Sequence, residues 1–83
     1  MDARRKRLKF RAQHCGMQEN DILLGGFAQS KIDDLNDTEL GEFEALLDQS
    51  DNDIYNWVSG RATPPDEFNT ALLLMIKQFN KTI

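Results

Sequence analysis

Apolar residues recur along this chain at the three- and four-residue spacing of helices, and no stretch alternates cleanly between apolar and polar residues as a half-buried strand would. In the first segment, Leu8, Ala12 and Cys15 fall at helical spacing. Gly16 follows them and suits the left-handed conformation with which many helices end. The pattern therefore predicts a first helix over residues 3–14.

The second apolar segment begins near Met17 and has two acids in its first turn, Glu19 and Asp21, which complement the positive end of a helix dipole. Gly25 and Gly26 lie in the middle of this segment. Because glycine weakens a helix interior, we expect the second helix to fray after this pair. Its apolar residues are Ile22, Leu23, Leu24, Phe27 and Ala28.

The start of a third helix is the best marked in the chain. Asn36 and Glu39 have the spacing of a capping box, and Leu35 and Leu40 have the spacing of the hydrophobic staple around it. The apolar residues that follow at helical spacing are Leu40, Phe43, Leu46 and Leu47. We therefore expect a helix that begins after Asn36.

Two further helices complete the pattern. Ser50, with Asp53 three residues later, predicts a fourth helix that ends at Gly60, and the Thr-Pro-Pro-Asp of residues 63–66 predicts the start of a fifth, since a first turn tolerates proline. The apolar residues of the fourth helix are Ile54, Tyr55, Trp57 and Val58, and those of the fifth are Phe68, Leu72, Met75, Ile76 and Phe79. We expect Trp57, Tyr55 and Phe68 to form an aromatic core. Five short helices with brief connections predict an all-α fold, a small five-helix bundle in which residues 1–83 form a single domain.

The length of 83 residues limits what the chain can do. A chain this short buries only roughly 60% of its unfolded surface, so it has no room for a catalytic domain with a separate cofactor domain, and we do not expect an enzyme. The single cysteine excludes an internal disulfide and a cysteine-rich zinc site. The longest apolar run, residues 71–76, is far shorter than the roughly 18 residues of a membrane span. These observations predict a soluble intracellular protein.

The formal net charge of −4 is unevenly distributed. Residues 1–11 contain six bases and one acid, whereas residues 32–53 contain nine acids and no base. The bases of the first helix fall on nearly all of its sides, and the rest of the chain would repel a polyanion. Nucleic acid is therefore disfavoured as a partner.

The turn between the first two predicted helices gathers residues suited to binding. Gly16 would let a partner's backbone approach closely, and Glu19 would pair with a partner's arginine or backbone amide. His14, Met17 and Asp21 lie in the same turn. The turn is therefore a candidate binding edge, and an ordinary connection between two helices is the alternative interpretation.

Catalytic chemistry at His14 and Cys15 is disfavoured. Adjacent helical residues point about 100° apart, so His14 is poorly placed to activate the Cys15 thiol. His14, Cys15, Glu19 and Asp21 also lack any recognised metal-ligand spacing. We expect neither a cysteine nucleophile nor a metal site.

Three stretches carry a family resemblance when they are taken in order. They are HCGMQENDILL at residues 14–24, the acidic third helix at residues 34–48, and DNDIYNW at residues 51–57. The first resembles an R-G-x-x-E signature with the helix that follows it, and the last is similar to a D-[IL]-[FY]-x-W segment. Both motifs belong to the SdhE-type succinate dehydrogenase assembly factors, and the likeness extends through about residue 76.

The resemblance implies a function as well as a fold. Members of this family are five-helix bundles that bind the flavoprotein subunit of succinate dehydrogenase and promote covalent attachment of FAD to a histidine of that subunit. The resemblance leaves open whether the fumarate reductase flavoprotein is also a partner. It implies an assembly factor that is not an enzyme and binds no cofactor tightly itself.

The resemblance also implies site residues, with one departure. Gly16 and Glu19 stand where the family has its functional glycine and glutamate. Cys15 stands where the signature has arginine, and a thiol lacks the planar, permanently charged fork of a guanidinium. The role of that arginine is therefore not carried over. The remaining residues expected to extend the partner-binding surface are Met17, His14, Arg11 and Asp21.

One alternative function and one expectation about location complete the interpretation. The alternative is a small, antitoxin-like regulator that uses its basic first helix to bind nucleic acid or an acidic protein.

Mitochondrial members of the resembled family carry an N-terminal targeting extension, whereas here the first predicted helix starts close to Met1. We therefore expect a cytoplasmic location.

Overall fold

The computed structural model describes residues 2–81. Five α-helices follow one another: α1 (Ala3–Gln13), α2 (Gln18–Lys31), α3 (Asp37–Leu47), α4 (Asp51–Ser59) and α5 (Ala71–Lys81). Single 3-10 turns lie at Ile32–Asp34 and Asp66–Phe68, and no strand occurs among the described residues. The predicted all-α five-helix fold is confirmed.

The core lies around α2, which packs along α1 and also contacts α4 and α5. Phe27 of α2 meets the rings of Phe43 and Phe79 edge-on, with centroids 5.8 and 5.7 Å apart. Trp57 is buried and stacks on Phe68, as expected. Tyr55, which was expected to join them, is instead half-buried with the Arg61 guanidinium over its ring. The buried apolar residues are Leu8, Ala12, Leu24, Phe27, Ala28, Ile32, Leu35, Leu40, Phe43, Leu46, Ile54, Trp57, Val58, Leu72, Leu73 and Ile76.

The helix ends predicted for α3 and α4 are confirmed. Asn36 Oδ1 accepts a hydrogen bond from the Glu39 amide at 2.8 Å, and the Glu39 carboxylate accepts one from the Asn36 amide at 2.9 Å. Ser50 Oγ accepts from the Asp53 amide. Gly60 ends α4 with a φ of +84°, in the left-handed region.

The prediction that the second helix frays after its glycine pair is wrong, because α2 continues to Lys31. Gly25 is buried against α1, where an added Cβ would lie 3.2 Å from Gln13 Cγ and 3.3 Å from Gln13 Cα. The missing side chain therefore lets the two helices pack closely. This tertiary contact offsets the weak helix propensity of glycine.

The predicted start of the fifth helix at residues 63–66 is also wrong. Asp66–Phe68 forms only one 3-10 turn, so Phe68 lies outside α5. Asn69 then interrupts the helical path with a ψ of 67°. The Thr70 hydroxyl accepts a hydrogen bond from the Leu73 amide at 3.1 Å. A side-chain cap at Thr70 therefore sets the start of α5 at Ala71.

Three arginines of the basic helix α1 make contacts within the molecule. Arg4 donates to the Glu44 carboxylate at 2.7 Å, and Arg11 donates to the Asp48 carboxylate at 2.7 Å. Arg5 donates to the Ile32 and Leu35 carbonyls at 3.1 and 2.7 Å. The basic helix thus binds the acidic middle of its own chain. Fewer of its charges are left for a polyanion, which weakens the case for nucleic acid as a partner.

Candidate docking surface at the turn between α1 and α2

The turn between α1 and α2 consists of the four residues 14–17. α1 ends at Gln13, and the His14 amide donates to the Arg11 carbonyl at 3.2 Å. Gly16 has a φ of +91°, a conformation that any other L-residue adopts with strain. The prediction of Gly16 as a left-handed stop after the first helix is therefore confirmed.

Asp21 stabilises the backbone of the turn through an intramolecular hydrogen bond. Its carboxylate accepts a hydrogen bond from the Cys15 amide, which lies six residues earlier. The Cys15 thiol in turn donates to the Ala12 and Arg11 carbonyls at 3.3 and 3.4 Å. These bonds fix the backbone between the end of α1 and the first turn of α2.

A further hydrogen bond connects the first turn of α2 to the start of α4. The Asn20 side chain is fully buried, and its Nδ2 donates to the Asp51 carbonyl at 2.9 Å. Its Oδ1 has no hydrogen-bond partner among residues 2–81. Asp51 Oδ2 lies against Gly16, 3.4 Å from where a Cβ would stand. The site therefore includes a carboxylate from α4 that the sequence interpretation did not include.

The other predicted site residues differ in how accessible they are. His14, Gly16 and Glu19 are exposed, and Met17 and Arg11 are half-buried. Arg11 is paired with Asp48. The Glu19 carboxylate has no hydrogen bond or ion pair to any described residue. Glu19 is thus available to a partner, as the sequence interpretation requires.

A cavity of about 200 Å³ lies beside the turn, and we call it the turn groove. Phe10, at its edge, is 62% exposed and stacks on the His14 ring with 4.1 Å between centroids. The His14 Nδ1 lies 2.8 Å from the Phe10 carbonyl, which holds the stacked pair in place. The lining residues are Phe10, Arg11, His14, Cys15, Leu47, Asp51 and Ile54.

Besides Cys15, which stands at the signature's arginine position, the sequence interpretation left four more of these lining residues out of the site: Phe10, Leu47, Asp51 and Ile54. A signal for Phe10 was present, since an aromatic residue two positions after Leu8 falls on the polar side of a helix. Leu47, Asp51 and Ile54 had no such signal, because they belong to helices that reach the turn only through the tertiary fold.

The chemistry of the site is that of noncovalent binding. Burial raises the pKa of the Cys15 thiol to about 11, and the nearby Asp21 and Asp51 carboxylates add to the shift. The thiol is therefore protonated near neutral pH, which opposes a role as nucleophile.

Among residues 2–81, no three His, Cys, Asp or Glu side chains are grouped to hold a metal ion. Nor is any described helix long and apolar enough to cross a membrane.

Comparison with known proteins places this fold and turn in a family. The described residues form a small α-helical protein whose glycine turn presents an unpaired glutamate. A family model described as the flavinator of succinate dehydrogenase matches residues 6–80. The chain belongs to this family, whose named relatives are assembly factors rather than enzymes.

Three relatives illustrate the match. Succinate dehydrogenase assembly factor 2, mitochondrial, of Dictyostelium discoideum is 40% identical over 77 residues, covering 93% of this chain and 55% of the relative. The FAD assembly factor SdhE of Acetobacter pasteurianus is 44% identical over 71 residues, covering 86% and 65%. A Saccharomyces cerevisiae relative, also named assembly factor 2, mitochondrial, is 35% identical, covering 98% and 52%. The chain thus spans about half to two thirds of the length of these relatives.

Proposed function

We propose that this chain is an assembly factor that binds the flavoprotein subunit of succinate dehydrogenase and promotes covalent attachment of FAD to that subunit. The observation that carries the proposal is the family match over residues 6–80. Two of the relatives are named as a succinate dehydrogenase assembly factor and an FAD assembly factor, which supports the same role. The chain promotes the attachment without an active site of its own.

The mechanism that we propose is positional. Docking holds the domains of the flavoprotein so that its own attachment residue lies against bound FAD. Alignment of reacting groups alone supplies up to roughly 7–11 kcal/mol of a reaction barrier. Gly16 lets the partner's backbone approach, and the unpaired Glu19 carboxylate makes a polar contact there. Met17, His14 and Arg11 extend the docking surface, and Asp21 holds its shape.

FAD itself belongs to the partner in this proposal, and the turn groove is not its binding site. The turn groove, at about 200 Å³, is smaller than the roughly 300–1,000 Å³ of typical small-molecule pockets. Its lining has one arginine, Arg11, and that guanidinium is already paired with Asp48. The groove is therefore poorly suited to a dinucleotide with a charged pyrophosphate.

Co-expression tests the proposed function. The flavoprotein subunit is expressed with and without this chain, and covalent flavin is measured by in-gel fluorescence after denaturation. We expect more covalent flavin at matched times when the chain is present. Equal covalent flavin in the two samples would contradict the proposal. The same assay with a fumarate reductase flavoprotein tests the breadth of partner choice.

A matched pair of variants tests the role of Glu19. Glu19→Ala removes the unpaired carboxylate, and Gln18→Ala truncates its exposed neighbour in the same turn. We expect Glu19→Ala to lower the yield of covalent flavin, and Gln18→Ala to leave it unchanged. A folded Glu19→Ala variant with normal yield would remove Glu19 from the docking surface.

The cytoplasmic location belongs to this proposal too. Two of the relatives described above are mitochondrial by name, and the Acetobacter relative carries no such label. Cell fractionation of the source organism, with the succinate dehydrogenase flavoprotein as a marker, tests where the chain resides.

A further inference from the structure

The Asp51 carboxylate is half-buried and has no hydrogen bond or ion pair to residues 2–81. It stands in the first turn of α4, where the helix dipole offsets part of the cost of removing a charge from water. A partly buried charge without a partner is unfavourable, and a cation of suitable shape would relieve the cost.

The walls of the turn groove define that shape. Leu47 and Ile54 give the groove apolar surface, the Phe10–His14 stack gives it an aromatic edge, and Asp51 provides the carboxylate. An apolar passage with a carboxylate complements a side chain that has an aliphatic stem and a cationic head. Arginine fits better than lysine, because a guanidinium is planar, stacks on aromatic rings and pairs with a carboxylate through two hydrogen bonds.

The chain does not supply this cation itself. Arg11 lines the groove, but its guanidinium is paired with Asp48 at 2.7 Å. Position 15, where the resembled signature has arginine, holds a thiol that burial and the neighbouring carboxylates keep neutral.

We propose that the turn groove receives an arginine of the flavoprotein subunit, with its stem against the apolar wall and its guanidinium on the Asp51 carboxylate. This inference rests on the proposed function, since the occupant comes from the same partner. The formal net charge of −4 makes two copies of this chain repel each other, which favours a partner's arginine over one from a second copy. Arg4, Arg5 and Arg11 are moreover already held by intramolecular contacts.

The test compares two aspartates in the same turn of α4. Asp51→Asn and Asp53→Asn make the same change of charge near the same helix start, but only Asp51 lines the groove. Binding to the purified flavoprotein subunit is measured by isothermal titration calorimetry at several salt concentrations. We expect Asp51→Asn to raise Kd roughly tenfold and to reduce the salt dependence of binding, with Asp53→Asn near the wild-type value.

The outcomes separate the two proposals. An Asp51→Asn variant that folds and binds as tightly as the unaltered chain would overturn this inference and leave the proposed function in place. If the unaltered chain does not bind the flavoprotein at all, the proposed function fails and this inference falls with it. A dimer of the free chain that depends on Asp51, seen by sedimentation, would assign the groove to a second copy instead and also overturn the inference.

A second variant keeps the inference testable if Asp51→Asn is unstable. Cys15→Arg places a guanidinium of the chain itself in the same groove as Asp51. We expect this arginine to pair with the Asp51 carboxylate, to block entry of the partner's arginine and so to weaken flavoprotein binding. A folded Cys15→Arg variant that binds the flavoprotein as tightly as the unaltered chain, or more tightly, would overturn the inference.

Discussion

The Asp51 carboxylate lies beside Gly16, although the two residues belong to different parts of the chain. A Cβ at position 16 would stand 3.4 Å from Asp51 Oδ2, which is an ordinary van der Waals distance. Gly16 also has a φ of +91°, where a side chain strains the backbone. Glycine is therefore required at position 16 because of the backbone conformation there, and not because a side chain would lack space.

Gly16→Ala should lower the free energy of unfolding by about 1–2 kcal/mol, the cost of a left-handed conformation for an L-residue. Gly60→Ala is the matched control, because Gly60 has a φ of +84° and no atom within 4 Å of an added Cβ. We expect similar losses in urea denaturation for the two variants. Only Gly16→Ala should also weaken flavoprotein binding. If Gly16→Ala binds normally, or Gly60→Ala binds equally poorly, Gly16 has no role in docking.

The Cys15 thiol should be unreactive near neutral pH, because its pKa is raised to about 11. Alkylation by iodoacetamide in the folded protein should therefore accelerate only as the pH approaches that value. In urea the same thiol should titrate near the ordinary value of about 8.5. Rapid alkylation of the folded protein at pH 7 would contradict the assigned environment.

The same shift makes stability depend on pH. Between the unfolded and the folded pKa of Cys15, the folded state binds more protons than the unfolded state. The contribution of Cys15 to stability is therefore present in full below about pH 8.5 and is lost as the pH rises toward 11. Urea midpoints measured across this range should fall more steeply for the unaltered chain than for Cys15→Ser. Parallel curves would indicate that Cys15 does not carry the effect.

Local sequence signals predicted much of the fold and less of the site. The capping pair Asn36 and Glu39 acts within four residues, so its pattern is visible in the sequence alone. The continuity of α2 through Gly25 depends on how closely α1 packs there, which no local pattern reveals. At residues 63–66, two prolines resemble a helix start, whereas the cap that forms is supplied by Thr70.

The candidate site likewise contains some residues that the sequence predicted and others that only the tertiary fold brings to it. The turn residues Gly16 and Glu19 lie close together in sequence, and their residue types and the resemblance to the family signature predicted them as site residues. Asp51 reaches the turn because the fold packs α4 against α2, where the buried Asn20 side chain bonds to the Asp51 carbonyl. Contacts between residues far apart in sequence follow from tertiary packing, which is why sequence patterns did not place Asp51 in the site.

Arg5 should contribute more to stability than its neighbour Arg7, although both are arginines of the same basic helix. The Arg5 guanidinium donates to two carbonyls of the α2–α3 connection, those of Ile32 and Leu35. Losing these charged donors should cost Arg5→Ala about 1–3 kcal/mol. Arg7 is exposed and has no bond to the described residues, so Arg7→Ala should change stability by less than about 0.5 kcal/mol. Equal urea midpoints for the two variants would show that the Arg5 contacts do not hold the connection.

The glycine pair in α2 should respond in opposite directions to the same substitution. A Cβ on Gly25 would lie 3.3 Å from the backbone Cα of Gln13, so Gly25→Ala must push α1 and α2 apart. Overpacking typically costs 1–3 kcal/mol, which exceeds the gain in helix propensity and leaves a net loss of about 1 kcal/mol. A Cβ on Gly26 would meet only Phe79, at 3.9 Å, so Gly26→Ala should gain about 0.5–1 kcal/mol. Urea denaturation followed by far-UV circular dichroism measures both changes. A stabilised Gly25→Ala variant would mean that α1 moves away at little cost, and that close packing at Gly25 does not explain why α2 continues through the pair.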